Sequence, residues 1–209
     1  MPKIKYSVVD LDETFISKNT FKLWLIFLMK SLLRSGSVKY SIKLFVILIK
    51  RLFKKISHMD MKRETLKITN ENVVNLNVDK FVFGLDKYVN KNILDKMLND
   101  QNTYWILATA APEIYSKKIA FTYGFNHCIS TSMVIDEQWN ENIREIKLKN
   151  VLNYLKSKDT NCISAVFTDH HDDLPLMRIS EKVYLVNPKE ASKLKVDEQI
   201  KNYTTILVE

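Results

Sequence analysis

Residues 7–15 of the 209-residue chain read SVVDLDETF. The apolar, β-branched run leading into this stretch predicts a buried strand over 4–10, and that strand delivers two aspartates, Asp10 and Asp12, one residue apart at its carboxyl end. Like charges so close raise each other's pKa values unless a cation or hydrogen-bond donors offset them. An isolated Asp-x-Asp is most often turn or capping chemistry, so the meaning of the pair depends on what the rest of the chain brings to the same edge.

Three further runs have the character of the first. YWILAT (104–109), ISAVFTD (163–169) and VYLVN (183–187) are short and rich in β-branched or aromatic residues, and helical stretches at 90–101, 112–124 and 146–158 separate the strands. Strands buried on both faces and joined by crossover helices form a parallel α/β sheet, in which ligands bind beyond the carboxyl ends of the strands. The second run ends on Thr109 and the third on Asp169, which is followed by His170, His171, Asp172 and Asp173. Three strand ends thus offer the residue types that a polar site needs.

A different pattern intervenes after the first strand. FKLWLIFLMKSLL (21–33) and VKYSIKLFVILIKRLFKKI (38–56) are apolar runs interrupted by lysine and separated by RSGS, and MDMKRETLKIT (59–69) reads as a third helix. Residues 16–77 are therefore expected to be an all-helical cap inserted into a core formed by 1–15 and 78–209. Neither run reaches the roughly 18 uninterrupted apolar residues of a membrane span. From Lys22 to Arg63, eleven Lys or Arg stand against a single acid, Asp60, so this segment carries +10 where the whole chain carries +8. Lys39, Lys43, Lys50 and Lys54 fall on one face of the second helix, with Leu44, Ile47, Leu48 and Leu52 largely on another. That pattern predicts either a solvated basic face over a packed interior or a surface that meets anionic lipid.

Scarce glycine and proline exclude disordered and repetitive architectures. Cys128 and Cys162 lack zinc-site spacing and read as packed thiols, and the opening MPKIKYSVVD lacks the apolar core of a secretory signal, so a cytoplasmic protein is expected, membrane-peripheral if the basic segment meets lipid.

Four or five carboxylates around one crevice cannot all stay ionised without a cation, and an oxygen-only donor set suits Mg²⁺. A metal that bridges a carboxylate and a phosphate oxygen allows the carboxylate to attack phosphorus, while a second carboxyl protonates the leaving alcohol and then takes a proton from water. A hydroxyl and a lysine are needed for the other phosphate oxygens. Thr109 supplies the first and Lys147 the second, with Lys149 as its competitor.

On these residues the chain resembles the haloacid dehalogenase (HAD) superfamily phosphatases, in the branch related to phosphoserine phosphatase with a helical cap after the first motif. The resemblance rests on Asp10, Asp12 and Thr14, on Thr109 in ILATAAPEIY, on Lys147 in REIKLKNVLNYL, and on Asp169 and Asp173 in FTDHHDDLPLM followed by YLVNP, in the family's order over about 10–188. It implies a Rossmann-like parallel sheet flanked by helices, with Asp10 as nucleophile and Asp12 as general acid/base. It further implies Mg²⁺ held by Asp10, the backbone carbonyl of Asp12, and Asp169, with Asp173 supporting the metal or orienting Lys147, and phosphate bound by Thr14, Thr109, Ala110 and Lys147. Two departures argue against phosphoserine itself: Asn19 stands where those enzymes carry a glutamate for the substrate ammonium, and Ala110, Ala111 and Pro112 replace the usual Gly-Gly. Glu13 occupies a position that is glycine in many relatives.

The expected activity is hydrolysis of a small phosphorylated metabolite. The alternative is a lipid phosphate reached at the membrane surface, as in some relatives with hydrophobic caps. A catalytically silent protein holding nucleic acid or another anionic partner is opposed by the intact motifs, and no nucleic-acid module or aromatic platform accompanies the charge. His170 and His171 read as solvated loop histidines. Asp172 reads as a helix cap or a supporting group near the metal, and Trp24, Phe27 and Phe45 as cap core or pocket lining.

Overall fold

The computed structural model describes residues 4–207. Strand β1 (Lys5–Val9) is followed by helices α1 (Thr20–Arg34), α2 (Val38–Leu52), α3 (His58–Glu71), α4 (Val78–Phe83) and α5 (Lys91–Asn99), after which the chain returns to the sheet as β2 (Thr103–Pro112). The remainder alternates: α6 (Glu113–Thr122), β3 (His127–Thr131), α7 (Arg144–Lys156), β4 (Ala165–Thr168), α8 (Leu174–Met177), β5 (Val183–Val186), α9 (Glu190–Asp197) and β6 (Thr204–Ile206). All pairings are parallel, in the order β3-β2-β1-β4-β5-β6. From β1 the chain builds outward to β3, then returns to the other flank of β1 for β4. The switch point of the sheet therefore lies between β1 and β4, where α/β sheets open a crevice.

Side chains alternate strictly across the sheet. Val8, Ile106, Val166 and Leu185 enter one apolar cluster together with Val151 and Leu155 of α7 and Leu176 of α8. Their neighbours Val9, Leu107, Phe167 and Val186 enter a second cluster on the opposite face. In register, Val8 stands opposite both Ile106 and Val166, and Val9 opposite Leu107 and Phe167. Burial on both faces is what the near-continuous apolar runs of the sequence require.

Two strands escape a reading of the sequence. HCIST, which becomes β3, has only one large aliphatic residue, and β6 is a three-residue, largely exposed edge. Strand β2 also runs three residues past Thr109, and its pairing with β3 shifts register between Ala108 and Pro112. Thr109 thus lies at an irregularity inside the strand and not at its end.

Between β1 and β2 the regular elements are helical: α1–α3 span Thr20 to Glu71, and α4 and α5 continue the run to Asn99. Asn19 caps α1 through the amide of Lys22, Gly36 takes a φ of 71° in the turn to α2, and Ser57 and Asp60 form a reciprocal capping box at the start of α3. Trp24 packs against Phe27, Phe81 and Tyr115 with ring centroids 5.0–5.3 Å apart, tying α1 to α4 and α6. Two expectations for α2 are corrected. Leu52, placed with the inner face, and Phe45, placed in the cap core or pocket, both project outward and are exposed. Among the described residues, no helix is long and apolar enough to cross a membrane.

Candidate active site

Asp10 follows β1 directly, and its amide donates to the carbonyl of Phe167 on β4 at 2.9 Å, which fixes it at the switch point. Around it opens a cleft of about 250 Å³ lined by Asp10, Asp12, Glu13, Asn19, Thr109, Ala110, Ile143, Lys147, Asp169, His170, Asp172, Asp173 and Lys189. Residues from widely separated parts of the sequence thus converge on the cleft.

Lys147, near the start of α7, is buried and donates to Asp10 Oδ1 at 2.8 Å and to Asp173 Oδ2 at 3.0 Å. Lys149, its competitor in the sequence, is exposed. Burial alone would lower the Lys147 pKa, but Asp10 and Asp173 outweigh that and raise it, so the side chain is a fixed cation. Asp173 also accepts from Thr168 Oγ1 at 2.8 Å. Its Oδ1 is buried 2.7 Å from Lys147 Nζ, yet off the hydrogen-bonding direction and without another partner.

Asp12 turns to α1. Its Oδ1 accepts from both the amide (2.6 Å) and the hydroxyl (2.5 Å) of Thr20, the first residue of α1, and Thr20 Oγ1 also meets Tyr115 OH at 3.2 Å. Burial raises the pKa of Asp12 against the opposing hydrogen bonds from Thr20. Burial likewise raises Asp10, opposed chiefly by Lys147, and pushes Asp169 up to about 6.

Four buried or nearly buried carboxylates with one ammonium among them leave a surplus of negative charge. The raised pKa values of Asp10, Asp12 and Asp169, together with the buried Asp173 oxygen that accepts no hydrogen bond, are what an oxygen-liganded divalent cation would relieve. The donor set therefore fits Mg²⁺. A different set, His170, His171 and Asp172, has its ligand atoms within 4.8 Å of one another. There, however, Arg144 Nε holds Asp172 Oδ1 at 2.7 Å and Lys195 Nζ meets His171 Nε2 at 3.0 Å, and two such cations oppose a metal.

Other expected positions sort plainly. Thr109 lies in the cleft with its hydroxyl accepting from the Ala111 amide at 3.0 Å. The carbonyl of Ala110 accepts from Thr131 Oγ1 at 2.6 Å and from Lys62 Nζ at 3.2 Å. Thr14, expected at the phosphate, is not among the residues that line the cleft; it is buried and its hydroxyl donates to Asp169 at 3.3 Å. Asp172 does not cap a helix with its side chain but pairs with Arg144 and His170. Glu13 has a φ of 57°, a left-handed conformation that favours glycine, and its carboxylate pairs with Lys189 at the rim.

Several contributing residues gave no signal in the sequence. Thr20 and Tyr115 look like ordinary helix residues. Asn142 looks like loop, yet its buried amide donates to the carbonyls of Thr109 and Ile129 and fixes the bulge of β2. Lys62 of α3 is buried and pairs with Glu141 at 2.7 Å, a link between α3 and the segment before α7 that only the folded chain reveals.

No family model matches the sequence, and no curated protein does. Solved structures do match in three dimensions. A protein of unknown function from Bordetella pertussis Tohama I superimposes with a TM-score of 0.76 at 15% identity over 97% of this chain and 98% of that one. A HAD-family hydrolase from Salmonella enterica serovar Typhi gives 0.60 at 12% identity, over 99% of this chain and 68% of that one. The fold is that of the HAD hydrolases. A substrate-bound phosphoserine phosphatase shares it, with a TM-score of 0.56 at 12% identity over 99% and 94% of the two chains. In this HAD fold the cleft of Asp10 lies at the carboxyl ends of the central strands, the crevice position general to open α/β sheets.

Proposed function

We propose that the chain is a Mg²⁺-dependent phosphomonoester hydrolase that works through an aspartyl-phosphate on Asp10, with a small phosphorylated metabolite as substrate and helices α1–α3 as its cap. One observation carries the reading: Asp10 and Asp12 share a single cleft with Thr109, Lys147 and Asp169, and Lys147 Nζ lies 2.8 Å from Asp10 Oδ1. Asp10, the Asp12 carbonyl and Asp169 would hold the metal. When bound, Mg²⁺ supplies the positive charge that lets an anionic nucleophile approach a phosphate.

The chain's own groups do the rest. A carboxylate oxygen of Asp10 attacks phosphorus, the phosphorus–oxygen bond to the leaving alcohol breaks, and Lys147 and Thr109 hold the phosphoryl oxygens. Asp12, which burial keeps more readily protonated than a free carboxyl, gives its proton to the departing oxygen. Asp12 then takes a proton from water, whose oxygen attacks phosphorus. The acyl-phosphate bond breaks, restoring Asp10 and releasing inorganic phosphate. Thr20 holds Asp12 in place for both transfers.

The substrate reading rests on size and charge. The cleft volume of about 250 Å³ lies below the roughly 300–1,000 Å³ of typical small-molecule sites. Asn19 is engaged in capping α1 and offers no carboxylate to an ammonium group, which disfavours phosphoserine.

The test is phosphate release from an aryl phosphate, with the expectation of turnover in Mg²⁺ and none for Asp10→Asn. Full activity in Asp10→Asn alongside an inactive Asp169→Asn would disprove the covalent route. A panel of sugar phosphates, nucleotides, phospho-amino acids and lipid phosphates then identifies the substrate.

A further inference from the structure

Helix α2 divides into three sectors. Leu44 and Ile47 point inward and are buried, with Ser41 beside them. A second arc, at about 100° per residue, carries Lys39, Lys43 and Lys50, all exposed, whereas Lys54, expected on the same face, lies two residues past the helix end with a φ of 55° and is exposed there. The third carries Val38, Ile42, Phe45, Val46, Ile49 and Leu52, which follow one another around the helix as a continuous stripe beside the lysines. Ile42 is 59% exposed, Phe45 57% and Leu52 73%. Phe53, which caps the helix, continues the stripe at 67%. The stripe runs the length of a 15-residue helix, about 22 Å. Apolar surface of this extent on one face marks an interaction site and not ordinary scatter.

The surrounding charge identifies what covers it. The stripe lies in a segment with eleven basic residues and one acid. A second copy docked stripe to stripe would bring two such segments together, and like charges oppose that contact. Nucleic acid would match the charge but would leave the aliphatic stripe in water. An anionic bilayer satisfies both: the acyl boundary takes the apolar side chains while the lysines reach the headgroups, as in helices that lie in the plane of a membrane interface.

We infer that the outer face of α2 docks the protein on an anionic lipid surface. The apolar stripe inserts, and Lys39, Lys43, Lys50 and Lys54 bind the phosphate groups of the lipid. This docking is independent of the catalytic assignment and holds whether the substrate is a lipid or a soluble ester.

Flotation of the full chain with vesicles tests it, using phosphatidylcholine alone and phosphatidylcholine mixed with phosphatidylglycerol. Binding is expected to the mixed vesicles at low salt. It should weaken at 1 M salt, where the screening length falls to about 3 Å. Each lysine at such a surface contributes about fivefold in affinity, so changing all four to glutamine should weaken binding by well over tenfold. Phe45→Glu with Ile49→Glu, both at exposed positions that need not disturb folding, should do the same through the stripe. Neither variant should change the circular dichroism spectrum or aryl phosphate hydrolysis. The inference is overturned if the unaltered chain stays with the soluble fraction at low salt, if both variants bind as before, or if sizing shows a dimer that Phe45→Glu with Ile49→Glu dissociates.

Discussion

Replacing Lys147 with methionine keeps the length of the side chain and removes its charge. The ammonium is buried and bonds to two carboxylates, Asp10 at 2.8 Å and Asp173 at 3.0 Å, so the variant leaves both without their cation. Breaking a buried ion pair from one side costs about 3–5 kcal/mol. At the lower end, and at about 2–4 °C per kcal/mol for a chain of this size, the melting temperature should fall by roughly 6–12 °C near neutral pH. The sign of the pH dependence follows from the acids. Removing the cation raises further the folded-state pKa of Asp10, which burial already raises, and an acid whose folded pKa is raised destabilises the fold above its unfolded pKa and ceases to do so once protonated. The deficit should therefore shrink as pH falls from 8 toward 4. Thermal melts across that range, with exposed Lys149→Met as control, measure it. Surface changes of the control kind move stability by about 0.5 kcal/mol or less. An equal loss in Lys149→Met, or a Lys147→Met deficit that grows on acidification, would refute the reasoning.

The same linkage predicts how metal acts on the unaltered protein. Burial raises Asp10 and pushes Asp169 up to about 6, so without metal the carboxylates destabilise the fold increasingly as pH rises above the unfolded value near 4. Added Mg²⁺ should raise the melting temperature more at pH 7.5 than at pH 5, where protons compete, and chelation should reverse the gain. Thr20→Val removes one of the two hydrogen bonds that hold Asp12, and a loss of order 10-fold or more in kcat is expected from the misplaced acid, with KM little changed. A fall confined to KM would place Thr20 in substrate binding.

The four central strands were legible because they are buried on both faces, so runs such as SVVD and AVFTD carry the same signal wherever they stand. The spacing around Asp10, Asp169 and Asp173 was legible for a related reason: each follows a strand whose end the pattern marks. Lys147 could be favoured over Lys149 by its spacing within EIKLKN, and it is the buried one of the two. Thr20, Asn142 and the Lys62–Glu141 pair were not legible, since each acts across a contact between distant segments that no local pattern encodes. Helix α2 fails for another reason. It is apolar on two sides, so periodicity sets the arc between the sides but not which one faces the core, and Leu52 and Phe45 lie outward. The position of Thr109 inside β2 depends on a register shift, which depends in turn on its partner β3.

The helices over the cleft have no interior separate from that of the sheet. Trp24, Leu28, Leu32 and Leu44 belong to the same apolar cluster as Val9, Leu107 and Phe167, and Lys62 reaches from α3 to the carbonyl of Ala110. A lid that swings must leave its seat, and unseating α1 would expose Trp24, Leu28 and Leu32, at about 1.5–3 kcal/mol for each leucine alone. Under the proposed function, ester and phosphate would exchange through the mouth of the cleft with the helices seated, and turnover would not wait on a hinge. On heating, the helices and the sheet lose their shared interior together, and the chain melts in one transition.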